Sequence, residues 1–239
     1  MPMTTRRSVL RALDRLEAAF GRPRLGRSYR PLDELVLTIL SQSTNDRNRD
    51  RAYEALRRRF PAWETVLRAE RGAVEEAIRI GGLAPTKSRV IQETLLRIKA
   101  ERGSLSLDFL RSLSAGEAHD YLARFRGVGE KTIACVLLFS CGHAAFPVDT
   151  HIHRVARRLG WVPESASAEK SHAILGRLIP EDRYLTAHVN LITLGRRLCR
   201  PRVPDCPSCP LRTACGYALR QIAARSGRRP RERSNAKPS

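Results

Sequence analysis

Between residues 31 and 44, Leu32, Leu35, Val36, Ile39 and Leu40 recur at i, i+3, i+4, i+7 and i+8, the spacing that aligns one apolar face of an α-helix. Similar periodicity predicts helices over 46–60, with Ala52, Tyr53, Leu56 and Phe60 inward, and over 86–99, 108–113, 117–125, 130–139, 150–159, 169–178 and 182–197. Strand-like alternation is absent. Gly81-Gly82, Gly103, Gly127-Val128-Gly129, Gly142 and Gly160 fall between the periodic stretches, where turn residues belong. The chain therefore reads as all-α. From Arg220 onward, basic residues mixed with Pro, Gly and Ser leave little to bury, and 217–239 is expected to form a basic disordered tail.

With 239 residues, 42% of them hydrophobic, the chain is long enough for one large or two modest domains with a real core. Lys and Arg total 44 against 24 Asp and Glu, and the resulting formal charge of +20 points to a polyanionic partner, nucleic acid first. Only five lysines occur, at 87, 99, 131, 170 and 237, so arginine carries most of the charge. Arginine grips phosphate bidentately but stays protonated and is a poor nucleophile, which narrows the candidates for amine chemistry to a handful. No apolar run approaches the roughly 18 residues of a membrane span. The start of the chain, 6–16, is arginine-rich and amphipathic like a transit peptide, but Asp14 and Glu17 favour an ordinary helix. A soluble, cytoplasmic protein is expected, nucleoid-associated if bacterial.

The chemistry concentrates in two places. The helix over 117–125, the turn Arg126-Gly127-Val128-Gly129 and a second helix entered at Glu130-Lys131-Thr132 read as a helix-hairpin-helix. Glycines let the backbone approach a ligand closely, and a helix start aims free N–H groups and partial positive charge at phosphate. Lys131 stands in that first turn, where the helix dipole disfavours a positive charge. Eighteen residues later, Asp149 in Pro147-Val148-Asp149-Thr150-His151 precedes another apolar-periodic helix as its N-cap. Further on, Cys199, Cys206, Cys209 and Cys215 follow the spacing C-x6-C-x2-C-x5-C. Four soft thiolates in one loop suit a single metal centre, either a cubane cluster or zinc, although zinc sites commonly use two C-x2-C pairs and only one is present. Cys135 and Cys141 fall in and at the end of an apolar helix and read as structural.

The segments Phe125-Arg-Gly-Val-Gly-Glu-Lys-Thr and Val148-Asp-Thr-His-Ile-His-Arg-Val, the Lys-to-Asp spacing and the cysteine spacing resemble the endonuclease III family of helix-hairpin-helix DNA glycosylases and AP lyases. The resemblance runs from the Pro31 helix to Cys215. It implies a six-helix barrel domain over 32–142, an iron-sulfur cluster domain made of 1–31 and 143–216, and a DNA cleft between them. It further implies a monomeric bifunctional glycosylase and lyase acting on double-stranded DNA with damaged bases or abasic sites, removing oxidised pyrimidines and nicking by β-elimination. The alternatives are a monofunctional mismatch glycosylase and a non-catalytic iron-sulfur DNA-binding protein.

By the same resemblance, Lys131 attacks the sugar, Asp149 stabilises the developing charge, and the four cysteines ligate a [4Fe-4S] cluster. Arg126, Gly127, Val128 and Gly129 of the hairpin, with Arg200 and Arg202 of the cluster loop, would contact the DNA backbone. Leu83 would act as a wedge, and Gln42 or Ser43 would fill the gap left by the flipped base. Three departures stand out: the family's gap-filling glutamine aligns with Ser43, one place after Gln42; Arg126 replaces the hairpin proline; and Glu130 replaces a basic residue beside the lysine.

Overall fold

The structure, a computed structural model, describes residues 5–23 and 29–226. Among them it is all-helical, with twelve α-helices: α1 (Arg6–Phe20), α2 (Pro31–Leu40), α3 (Asp46–Arg59), α4 (Trp63–Arg68), α5 (Arg71–Ile78), α6 (Ala84–Arg102), α7 (Ala115–Ala123), α8 (Glu130–Val136), α9 (Thr150–Leu159), α10 (Ala168–Leu178), α11 (Tyr184–Arg197) and α12 (Gly216–Ser226). Capping chemistry sets many of the starts. Ser114 and Glu117 close a capping box on α7, Asn45 caps α3, Ser167 caps α10, and Pro31 opens α2 where no N–H is needed.

The chain divides into two compact units, one built from Pro23–Val148 and Pro180–Leu185, the other from the remaining segments. In the first, α2 is the central helix: every residue except Asp33 is buried, including Glu34 and Thr38. The apolar face expected from the sequence is present, but α2 is enclosed on all sides, as a helix at the middle of a core must be. Around it pack Leu56 of α3, Val74 and Ile78 of α5, Ile91, Leu95 and Ile98 of α6, Leu122 of α7 and Ile133 of α8. Helices α4 and α5 carry no strong sequence period because each buries only two residues, Trp63 and Val66, and Val74 and Ile78. The helix predicted over 130–139 is α8 followed by a π-helical turn, Leu137–Cys141, and the helix predicted over 31–44 stops at Leu40. The chain returns to this unit at Pro180–Leu185, where Tyr184 sets its ring edge-on to Phe146 at 5.3 Å.

In the second unit, Asn190 of α11 donates to the carbonyl of Gly21 just past α1 at 3.0 Å, which ties the start of the chain to its last third. Gly195 lets α11 approach α9 closely, since a Cβ there would lie 2.9 Å from His151 Cβ. The expectation of a disordered tail from 217 is corrected by α12. Ala218 is buried against Cys206 and Cys215, with Tyr217 and Ile222 packed beside them, so this basic stretch carries enough apolar surface at helical spacing to dock. The rest of the expected tail, 227–239, lies outside the described residues.

Candidate functional site

The hairpin is anchored from inside. Phe125 and Val128 are buried in the core of the first unit, whereas Arg126, Gly127 and Gly129 are exposed. Val128 therefore offers the outside only its backbone. Gly127 adopts φ +81°, a left-handed conformation that favours glycine, and a Cβ on it would strike Val90 Cγ2 at 2.8 Å. Gly129 is different. Its φ of −97° suits any residue and a Cβ would meet open space, so the fold does not require glycine there.

Lys131, in the first turn of α8, is half-buried and donates from Nζ to Ser41 Oγ at 3.4 Å. The Ser41 hydroxyl in turn donates to the Thr38 carbonyl at 2.7 Å. One turn further along α2, buried Glu34 accepts from Thr38 Oγ1 at 3.1 Å. Burial pushes the Glu34 carboxyl above its usual range, opposed by the Thr38 hydrogen bond and by the charges of Lys131 and Arg49. Sequence reading missed this carboxylate because Asp33-Glu34 looks like ordinary acidic decoration of a helix start. Beside Lys131, Glu130 faces His119 of α7, whose Nε2 lies 3.1 Å from both carboxylate oxygens and bridges the two helices of the hairpin.

Two further loops of the same unit carry the expected gap-filling residues. Gln42 is turned toward the hairpin, donating from Nε2 to the Gly127 carbonyl at 3.3 Å, while Ser43 is exposed. Leu83, just before α6, is 55% exposed, unusual for leucine. Ser43 at φ 53° and Leu83 at φ 52° are the only non-glycine residues with positive φ among those described.

In the second unit, Asp149 caps α9, Oδ1 accepting from the Ile152 N–H at 2.7 Å. Two arginines on α9, one turn apart and missed by sequence reading, frame the cysteine loop. Arg154 donates to the carbonyls of Cys199 (3.0 Å) and Gly195 (2.9 Å). Arg158 donates to Cys199 Sγ (3.3 Å) and to the carbonyls of Arg200 and Pro201 (both 2.8 Å), and lies over the Tyr217 ring. Arg200 and Arg202 themselves are exposed.

None of the four loop cysteines is in a disulfide; Cys206 and Cys215 are buried and Cys199 and Cys209 half-buried. The Ala218 N–H points at Cys215 Sγ at 3.5 Å. Burial pushes the Cys209 thiol up to about 11, and Cys199, Cys215 and Cys206 act on it in the same sense from nearby. Among the described residues no three donors converge closely enough to share a single ion. Arg158 directs a guanidinium N–H at Cys199 Sγ and Ala218 its backbone N–H at Cys215 Sγ, and soft sulfurs with N–H donors beside them are the ligand type that an iron-sulfur centre uses.

This all-helical fold with a glycine hairpin presenting a lysine defines the helix-hairpin-helix class, and the profile described as HhH-GPD superfamily base excision DNA repair protein matches residues 36–181. Endonuclease III of Thermotoga maritima is 31% identical over 200 residues, covering 83% of this chain and 89% of that protein. The chain belongs to the endonuclease III family of that superfamily. A protein of Arabidopsis thaliana, named as a candidate DNA glycosylase, is 46% identical over 165 residues, covering 69% of this chain. This chain spans 56% of that relative's length. Among solved structures, a trapped endonuclease III–DNA covalent intermediate matches with a TM-score of 0.80 at 26% identity, covering 92% of this chain and 100% of that one.

Proposed function

We propose that the chain is a bifunctional DNA glycosylase and AP lyase of base excision repair, removing oxidised pyrimidines from duplex DNA and nicking the strand. The observation that carries the reading is Lys131, a half-buried amine at the helix start of an exposed glycine hairpin. The family relationship and the solved covalent intermediate of endonuclease III with DNA support it.

In this reading the exposed backbone around Gly127 and Gly129 grips phosphate, using the N–H groups that a helix start leaves free. Arg126, Arg200 and Arg202 add charge. A nucleotide leaves the stack, which is easiest where damage has weakened pairing. Leu83 and Ser43 enter the vacancy, while Gln42 braces the hairpin. The lone pair of the Lys131 Nζ amine attacks C1′ of the sugar, the C1′–N bond breaks with its electron pair going to the base, and the base takes up the proton that the nitrogen loses on forming its bond to C1′. Asp149 stabilises the positive charge that builds on the sugar. Ring opening gives a Schiff base between Lys131 and C1′; loss of a C2′ proton then expels the 3′ phosphate. Cys199, Cys206, Cys209 and Cys215 would hold a [4Fe-4S] cluster, which would supply a covalent cross-link for the arginine-bearing loop.

Borohydride reduces such a Schiff base and freezes the protein on the DNA. Wild-type protein is expected to form the adduct with a duplex carrying one oxidised pyrimidine, and Asp149→Asn to form it in lower yield. Lys131→Gln is expected to form none while still binding the lesion. Adduct formation by Lys131→Gln at the wild-type level would assign the nucleophile to another amine.

A further inference from the structure

Lys87 is 1% exposed, and its ammonium is held by backbone carbonyls and not by a carboxylate. Nζ donates to the carbonyl of Leu40 at 2.8 Å and to that of Gly81 at 2.8 Å. Burial alone shifts its titration, downward, as expected of a cation kept from water without an ion pair. A buried charge is costly unless hydrogen bonds replace its hydration, and here two backbone carbonyls do so.

The two carbonyls are not arbitrary. Leu40 is the last residue of α2, and its carbonyl is one of those a helix leaves unsatisfied; Ser43 follows three residues later. Gly81 closes the turn before Gly82 and Leu83. It is packed so tightly that a Cβ would sit 3.1 Å from Ala52 Cβ and 3.9 Å from Lys87 Nζ. The Lys87 backbone N–H also bonds the Leu83 carbonyl at 2.9 Å, so main chain and side chain of one residue hold the Leu83 loop together. The two segments bound by one ammonium thus lead directly into Ser43 and Leu83, the two exposed residues whose left-handed backbone needs enforcement by its surroundings.

We infer that Lys87 is a positioning residue: its buried ammonium clamps the ends of α2 and of the turn before α6, and so holds Ser43 and Leu83 at a fixed separation for entry into DNA at an extruded nucleotide. The inference rests on the proposed role of those two side chains. Filling the gap behind a flipped base requires both tips to arrive together, and tips fluctuating independently would lose that advantage without losing any phosphate contact.

The test compares affinity for a duplex with one tetrahydrofuran abasic analogue against affinity for the same duplex undamaged, neither of which needs chemistry. Lys87→Met is expected to lower the preference for the abasic duplex about tenfold, as is expected of Leu83→Ala, while undamaged-duplex affinity stays within about twofold. Fluorescence of 2-aminopurine opposite the abasic site should lose its rise on binding. Leu83→Ala added to Lys87→Met should cost less than about a further twofold, because a wedge no longer positioned has little left to lose. Lys87→Met with wild-type preference and fluorescence overturns the inference, as does an equal loss for both duplexes or full additivity with Leu83→Ala. If Lys87→Met does not fold, Lys87→Gln, which keeps one donor, should show intermediate preference with undamaged affinity retained; a fall in both would sink the clamp. Failure of the Lys131 chemistry appears only in borohydride trapping, and failure of the wedge appears as an undiminished preference in Leu83→Ala alone.

Discussion

Glu34 lies one turn before Thr38 on a helix that the core surrounds, and its carboxyl is pushed above the ordinary range by that burial. A group with a raised folded-state value favours folding while protonated. That contribution is present below the unfolded value and lost as pH rises through the folded one. Glu34→Gln removes the loss, so melting temperature should rise by roughly a few degrees near about pH 8 and change little near about pH 4. An equal shift at both pH values would mean that titration is not the cause. The charge of Lys131 opposes the rise in the Glu34 value. Neither Glu34 nor Lys87 was legible as special in the sequence. A charged residue on a helix betrays its burial only when the helices that cover it are known.

At the scale of the element, the hairpin separates two uses of glycine that its sequence presents as one motif. Gly127→Ala has to force φ +81° on an L-residue and to displace Val90, together costing about 2 to 3 kcal/mol. Gly129→Ala meets neither obstacle. In urea denaturation the first should be clearly destabilised and the second near wild type, whereas duplex affinity should fall for both; Gly129→Ala binding as wild type would remove the close-approach role from that position. Val90→Ala should restore part of the stability of Gly127→Ala by making room. Strongly periodic helices such as α2, α3 and α9 were readable from side-chain spacing, and the hairpin from its two glycines. The π-turn after α8 and the short α4 and α5 were not, because too few buried residues fall in each to establish a period.

At the scale of the whole molecule, the cysteine loop and α12 share, among the described residues, an apolar cluster of Cys206, Cys215 and Ala218, with Leu159, Tyr217 and Ile222 at its edge. A cluster on the four thiolates would cross-link this loop beside α12. Purified protein is expected to be brown, with about four irons per chain. Stoichiometric zinc without iron would overturn the cluster assignment. Cys206→Ser should bleach the colour and expose 199–222 to proteolysis, while fragments of the Pro23–Val148 unit persist.

By itself the sequence determined the helical class, the nucleic-acid-directed charge, the hairpin with Lys131, the Asp149 cap and the cysteine spacing. Each of these is written in local periodicity, local turn chemistry or counted residues. Only the tertiary structure decided that Gln42 turns to the hairpin while Ser43 is exposed, that Arg154 and Arg158 brace the cysteine loop, that 217–226 docks as a helix, and that Lys87 joins two loops from within. These depend on contacts between residues far apart in the chain, where one ammonium can reach a carbonyl 47 positions away. No local pattern encodes which distant carbonyl a buried lysine meets, because that choice is made by the packing of α2, α3 and α6 around it.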